Sequence, residues 1–144
     1  MSKKMKLRVL TNTGKGKMLA LAKAMSDEYS IEREADKIDP AYPCENERLV
    51  VIFLTAANKY TDVFKRFCKS LSKNIAQNVA LVVDGDAAKV APVVEWIKEA
   101  GAHVCEDFFM INGGLPFKFV KKYTAEEKEA MFAWVDKTVQ SFKA

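Results

Sequence analysis

The chain has 144 residues, of which 49% are hydrophobic and 29% are charged, and its formal net charge at pH 7 is +4. This length suits one domain with a real hydrophobic core, and the composition excludes a disordered chain. The apolar runs fall far short of the roughly twenty residues that a membrane span needs, and no signal-peptide core follows the basic N-terminus. We therefore expect a single cytoplasmic domain over residues 1–144 with no membrane span.

A strand, a glycine-containing turn and a helix are predicted at the start of the chain. Residues 5–10 alternate apolar and basic side chains and end at a Thr/Asn/Gly cluster, as a strand entering a turn does. Apolar residues then recur at helical spacing over 17–25, which predicts an amphipathic helix. Residues 29–33 are a candidate second strand, and residues 35–48, with two prolines and many charges, are predicted to form a loop.

Two buried strands, each followed by a helix, are predicted in the middle of the chain. Residues 49–54 and 79–83 are continuous apolar, β-rich runs, which are typical of parallel strands buried on both faces. Apolar spacing predicts helices around 64–71 and 90–100, and Gly101 is the usual type of residue at a helix C-terminus.

The last third of the chain predicts a fifth strand and a final helix. The strand begins within residues 102–105, a turn follows at 112–116, and residues 124–127 have the Thr and Glu spacing of a capping box. Strands that alternate with helices imply right-handed crossovers and a parallel sheet covered on both faces. The sequence therefore predicts a doubly wound α/β fold, whose ligand would bind beyond the carboxyl ends of the strands.

The turn after the first strand has the composition of an anion site. It consists of Thr11, Asn12, Thr13, Gly14, Lys15 and Gly16. Between a strand and a helix, backbone N–H groups and the helix dipole can converge on an anion, while glycines allow close approach. This favours a phosphate, although Gly and Thr also form simple tight turns and helix caps. The GxxxxGK[ST] and GxGxxG motifs are both absent.

This turn resembles the [ST]-x-T-G-x-[TN] phosphate loop of flavodoxins, and the order of elements is similar to that family across nearly the whole chain. The resemblance implies a flavodoxin-like three-layer sandwich with a five-stranded parallel sheet of order 2-1-3-4-5. It also implies FMN as the cofactor, with its phosphate at residues 11–16 and its ring between the loops after the third and fourth strands. The implied ring contacts are Thr55, Ala56, Ala57, Tyr60, Asp84, Gly85 and Asp86.

The same resemblance implies a redox function, either electron transfer or NAD(P)H-dependent reduction of flavins or quinones. The net charge of +4 suits a small anionic donor such as NAD(P)H better than it suits the role of an acidic electron shuttle. The alternative is a non-catalytic flavodoxin-like domain that has lost FMN and serves as a binding or interaction module. Gly16 in place of Thr or Asn, and the lack of an aromatic residue in 84–88, favour that alternative.

Residues 1–26 carry seven basic side chains and no acidic one, so positive charge is predicted to surround the first turn. Nucleic acid could use such a patch, but no aromatics are interleaved and no recognition-helix pattern follows, so we expect no nucleic-acid partner. The partner is instead predicted to be a redox protein or a small electron donor or acceptor. A homodimer is one possible assembly.

The remaining candidate residues have structural interpretations. Asp84 and Asp86 could form an acid/base pair or a Mg²⁺ site, but Asp-Gly-Asp after a strand is more typical of a turn and helix N-cap. His103, the single histidine, is predicted to lie on a strand, so no histidine-dependent nucleophile can be assembled with conviction. The three cysteines contain no CxxC pair, which argues against a zinc site and a disulfide scaffold. Cys68 is predicted to be a core residue.

Overall fold

The computed structural model describes residues 7–11, 16–29, 36–37, 47–56, 59–72, 76–105, 107–111 and 125–141. The strands are β1 (Leu7–Thr11), β2 (Asp36–Lys37), β3 (Glu47–Thr55), β4 (Ala76–Asp84), β5 (His103–Val104) and β6 (Phe109–Ile111). The helices are α1 (Gly16–Tyr29), α2 (Asp62–Lys69), α3 (Ala91–Ala100) and α4 (Ala125–Ser141), and a short 3₁₀ helix covers Ala87–Val90.

The strands form one parallel sheet in the order β2-β1-β3-β4, with β5 and β6 both paired to β4. Strand order therefore confirms the predicted 2-1-3-4-5 sheet, with the fifth position divided into two segments. Because every pairing is parallel, the carboxyl ends of β1, β3 and β4 meet at one edge of the sheet.

The sheet is buried on both faces, as the continuous apolar runs predict. On β3, Val50, Ile52 and Leu54 belong to the core cluster that includes residues of α2 and α3. The alternate residues, such as Val51 and Phe53, belong to the cluster that includes residues of α1 and α4. Side chains alternate across a strand, so one strand supplies both cores.

Two boundaries near the N-terminus were predicted wrongly. Tyr29 is the last residue of α1 rather than the start of a strand, and the second strand lies at Asp36–Lys37. The helix runs on because residues 26–29 contain no Pro or Gly that would stop it. The predicted loop over 35–48 therefore includes β2 and the first residues of β3, while residues 30–35 lie outside the described part of the chain.

Local signals at the helix ends match the structure. Gly101 closes α3 with a φ of 116°, and its N–H donates to the Lys98 carbonyl. Thr61 caps α2, its side chain accepting a hydrogen bond from the Phe64 N–H at 3.1 Å. On α4, the predicted apolar side is buried at Met131 and Val135. Across the described residues, every helix is too short or too polar to cross a bilayer.

The outer strand contains an irregular segment between β5 and β6. Val79 of β4 pairs with Val104 of β5, and Val82 of β4 pairs with Phe109 of β6. The two residues on β4 are three positions apart, whereas their partners are five positions apart. The outer strand therefore carries two additional residues, which form a bulge. The Trp134 indole N–H on α4 donates to the carbonyl of Asp107 in this bulge at 2.7 Å.

Candidate functional site

The predicted ligand-binding segments converge on the carboxyl edge of the sheet. Thr11, at the end of β1, is in register with Phe53 of β3, and Thr55 at the end of β3 is in register with Asp84 of β4. The segments that follow these three strands therefore open at the same edge. This edge is where doubly wound sheets bind their ligands.

On one side of this edge, Thr11 precedes the start of α1. Thr11 is fully buried, and α1 begins at Gly16. The first N–H groups of a helix have no partner within the helix and carry its positive dipole end, so an anion is stabilised there. The predicted phosphate residues Asn12, Thr13, Gly14 and Lys15 lie outside the described residues.

On the other side, the segments after β3 and β4 are in direct contact. The Ala56 N–H donates to the Asp84 carbonyl at 2.9 Å. Gly85 has a φ of 116°, and a Cβ atom added there would lie 3.2 Å from the Ala56 Cβ. Thr55 and Asp86 are exposed beside this contact, whereas Ala57 is outside the described residues. Small side chains therefore leave the backbone at this edge accessible.

Tyr60 links the same two segments. Its hydroxyl donates to the Lys89 carbonyl at 2.7 Å. Its ring packs against Phe64, with centroids 5.4 Å apart, and edge-on against Trp96 at 6.1 Å. The resemblance implies that the Tyr60 ring contacts a flavin. In the structure this half-buried ring instead packs between α2 and α3.

A Tyr60→Phe variant tests the contribution of this link. We expect its free energy of unfolding to fall by about 1 kcal/mol, because the partly buried carbonyl of Lys89 loses the Tyr60 hydroxyl as a hydrogen-bond donor while the ring contacts remain. Urea denaturation followed by tryptophan fluorescence measures the change. Ser70→Ala is the control, since its hydroxyl donates to the Phe67 carbonyl at an exposed position. Equal losses in the two variants would contradict a special role for Tyr60.

The Asp-Gly-Asp segment is a turn and a helix cap, as the structural interpretation predicts. The Asp86 Oδ1 accepts the N–H of Ala88 at 2.9 Å and caps the 3₁₀ helix. Asp84 is the half-buried last residue of β4. In the described ranges, no three His, Cys, Asp or Glu side chains come together as metal ligands would.

The described thiols lack the properties of a nucleophile. Burial raises the pKa of Cys68 to about 12 and the pKa of Cys105 to about 11. Cys68 is fully buried in the core as predicted, and Cys105 is partly buried just beyond β5. Both thiols therefore stay protonated at neutral pH, and His103, on β5 as predicted, is exposed.

The raised thiol pKa values predict a loss of stability at alkaline pH. An unfolded thiol has a pKa of about 9, below that of either folded thiol. The contribution of the protonated thiols to the free energy of unfolding is complete below pH 9. It is lost as pH rises toward 11, because the thiols of the unfolded state release their protons at a lower pH than those of the folded state. We expect the urea midpoint of the native protein to fall more between pH 8 and pH 10.5 than that of a Cys68→Ala/Cys105→Ala variant. An equal fall of the urea midpoint in the two proteins would contradict the raised pKa values of the two thiols.

One of the basic side chains predicted around the first turn is buried rather than exposed. Arg8 on β1 is only 1% exposed, so it belongs to the interior of the sheet layer. Lys23 on α1 is exposed. The other basic residues of 1–26 lie where the structure describes no side chain.

No family model matches the sequence, and no curated protein matches it either. Among solved structures, the fold is similar to that of a short-chain flavodoxin associated with a non-canonical PDU bacterial microcompartment, with a TM-score of 0.62. That comparison covers 95% of this chain and 99% of the other, at 12% sequence identity. The chain has a flavodoxin-like fold. In this flavodoxin-like protein the segments after β1, β3 and β4 begin at one edge of the sheet.

Proposed function

We propose that this flavodoxin-like protein binds FMN at the carboxyl edge of its sheet and acts in redox chemistry as a cytoplasmic single-domain protein. The observation that carries the proposal is the meeting of three segments at one edge. There, Thr11 precedes the N-terminus of α1, and just beyond β3 and β4 the Ala56 N–H donates to the Asp84 carbonyl beside Gly85. A helix N-terminus suits a phosphate, and the small residues suit a flat ring.

In this proposal the phosphate is held by Thr11, Asn12, Thr13, Gly14, Lys15 and Gly16. The donor chemistry fits, because hydroxyls, a lysine and the first N–H groups of α1 are all hydrogen-bond donors to an anion. Lys15 contributes the charge. Gly16, as the first residue of α1, brings the backbone itself close to the ligand.

The ring is proposed to contact Thr55, Ala56, Ala57, Tyr60, Asp84, Gly85 and Asp86. The exposed backbone at Gly85 and the half-buried Ala56 fit a planar group, since neither carries a side chain large enough to cover this edge. Bound FMN would supply one- and two-electron chemistry, while the protein orients it and limits its contact with water.

The proposed partner is a redox protein or a small electron donor, with NAD(P)H as the leading candidate. Its phosphates are anionic, and the net charge of +4 attracts anions. A homodimer is compatible with this function.

A second candidate function is a non-catalytic interaction module without FMN. Tyr60 favours it, because this residue's hydroxyl and ring are both engaged within the protein and it is the aromatic residue that sequence reasoning assigned to the flavin. A flavin ring would then contact only the part of the Tyr60 side chain that remains exposed. The two candidates differ in whether the purified protein takes up FMN.

Titration of FMN with the purified protein tests the proposal. We expect the fluorescence of FMN to be quenched on binding, and a Lys15→Gln variant to bind at least about tenfold more weakly, because a hydrogen bond between a charged group and an anion contributes roughly 1.5–3 kcal/mol. Lys23→Gln is the control, since it removes the same charge from an exposed position on α1. A protein that takes up no FMN would exclude the flavin function and leave the interaction module.

Where FMN binds, oxidation of NAD(P)H with a quinone acceptor separates the two redox roles. A reductase turns over directly with both small molecules. An electron carrier shows little direct turnover and instead requires a protein partner.

A further inference from the structure

Helix α2 presents a basic face to solvent. Lys65, Arg66 and Lys69 are exposed and are separated by steps of one, three and four residues, so their side chains lie on one side of the helix. Phe64 and Cys68 are buried on the opposite side. The face is therefore outside the core, and its charge does not serve the packing of α2 against the sheet.

The basic face reaches the carboxyl edge of the sheet. Lys59 is exposed in the segment between β3 and α2, between the proposed ligand contacts Ala57 and Tyr60. From there α2 runs for eight residues, or about 12 Å at 1.5 Å per residue. A partner seated along this face would therefore also border the ligand edge.

Within α2 the basic side chains outnumber the acidic ones. Asp62 is the one acidic residue of the helix, against Lys65, Arg66 and Lys69. Arg66 and Lys69 lie in the last turn, where they also stabilise the helix dipole. Stabilisation of the helix dipole does not explain the positive charges of Lys59 and Lys65, because these residues lie outside the last turn.

The other helices lack this excess of positive charge. Glu95 and Glu99 are exposed on α3, and Glu126 and Glu129 are exposed on α4, on the other face of the sheet. Of the four described helices, only α2 has more basic than acidic residues. Such an uneven distribution of charge orients an approaching charged protein before contact.

We propose that Lys65, Arg66 and Lys69 of α2, together with Lys59 just before the helix, dock an acidic protein partner; these four residues are here termed the α2 basic face. Charge complementarity selects that partner. Trp96 adjoins the face but is half-buried beneath Lys65, whose Nζ lies 5.4 Å from the ring centroid, so the ring is not open for base stacking. An acidic protein is therefore favoured over a single-stranded nucleic acid.

The docking surface itself does not require a flavin. Only the inference that the docked partner exchanges electrons rests on the proposed function. Binding is accordingly measured on protein with and without added FMN, so that failure of FMN uptake and failure of docking remain separate results.

The test uses a polyglutamate peptide as the acidic probe, titrated by fluorescence anisotropy at low and at high salt. We expect Lys65→Gln/Arg66→Gln to weaken binding about fivefold at low salt. The control, Lys23→Gln/Lys137→Gln, removes the same charge from exposed positions on α1 and α4 and should bind as the native protein does. Circular dichroism of both variants establishes that they are folded.

Four results would overturn the proposal. The first is no binding of polyglutamate at low salt, and the second is equal weakening by the two pairs, which would indicate an effect of total charge. The third is tighter binding of a polyuridine of equal charge than of polyglutamate. The fourth is a concentration-dependent dimer, detected by sedimentation, that the Lys65→Gln/Arg66→Gln pair abolishes, because the occupant would then be a second copy of the chain.

Discussion

Replacing Phe53 by alanine is expected to lower the free energy of unfolding by about 3–5 kcal/mol, the usual range for a buried phenylalanine. Phe53 is fully buried on the central strand β3, in the cluster shared with α1 and α4. It pairs in register with Thr11 on one side and Val82 on the other. The large cavity cannot close easily, because strands on both sides hold the backbone of β3 in place.

Urea denaturation monitored by circular dichroism measures this loss. Met110→Ala is the matched control, because Met110 is a large apolar residue of the same sheet that is 45% exposed. We expect its loss to be less than half that of Phe53→Ala, since less apolar area returns to water on unfolding. Similar losses at the two positions would mean that the core is not centred on β3.

Replacing Gly85 by alanine is expected to reduce both stability and FMN affinity. The φ of 116° is strained for any residue with a side chain, at a cost of about 1–3 kcal/mol. The new Cβ would also lie 3.2 Å from the Ala56 Cβ, so the segments after β3 and β4 would have to separate by a few tenths of an ångström. The backbone strain and the close contact with Ala56 both occur at the carboxyl edge of the sheet, where we propose that the flavin ring lies.

Two further variants separate these effects. Gly101→Ala introduces a side chain at the same φ of 116°, but at the C-terminus of α3. It should lose comparable stability while FMN titration gives the native affinity. Adding Ala56→Gly to Gly85→Ala removes the close contact but not the backbone strain, so we expect it to recover affinity more than stability. If Gly101→Ala weakened FMN binding equally, the loss would reflect overall stability.

The main fold was predictable from sequence because its central strands carry their own signal. Residues 49–54 and 79–83 are continuous apolar runs, and burial on both faces of a parallel sheet requires this composition. β2 could not be located in the same way. Its two residues, Asp36 and Lys37, are charged and are held in the sheet by their pairing with β1. An edge strand of this length has no period that a sequence pattern could reveal.

The candidate site was predictable in its position but less so in its side chains. The carboxyl edge follows from strand order alone, and Thr11 lies there as expected. The environment of Tyr60 could not be derived, because it is fixed by Lys89 and Trp96, which are remote in sequence and are brought near by the packing of α3 beside α2. A lone aromatic in a loop gives no sign of which surface it covers.

The α2 basic face is not evident from the sequence, in which the clearest excess of positive charge lies in residues 1–26. Burial of Arg8 removes one of those charges from the surface. The helical spacing of Lys65, Arg66 and Lys69 was available in the sequence, but its meaning depends on knowing that the opposite side of α2 is buried.

The bulge between β5 and β6 affects how this protein behaves at high concentration. A regular outer strand would offer an uninterrupted row of N–H and C=O groups to another chain. Here the extra residues break that row, and Trp134 holds the carbonyl of Asp107 from the side of α4. Among the described residues, the sheet presents two short segments, of two and three residues, at this border. We therefore expect the irregularity that divides the fifth strand to reduce strand-mediated aggregation.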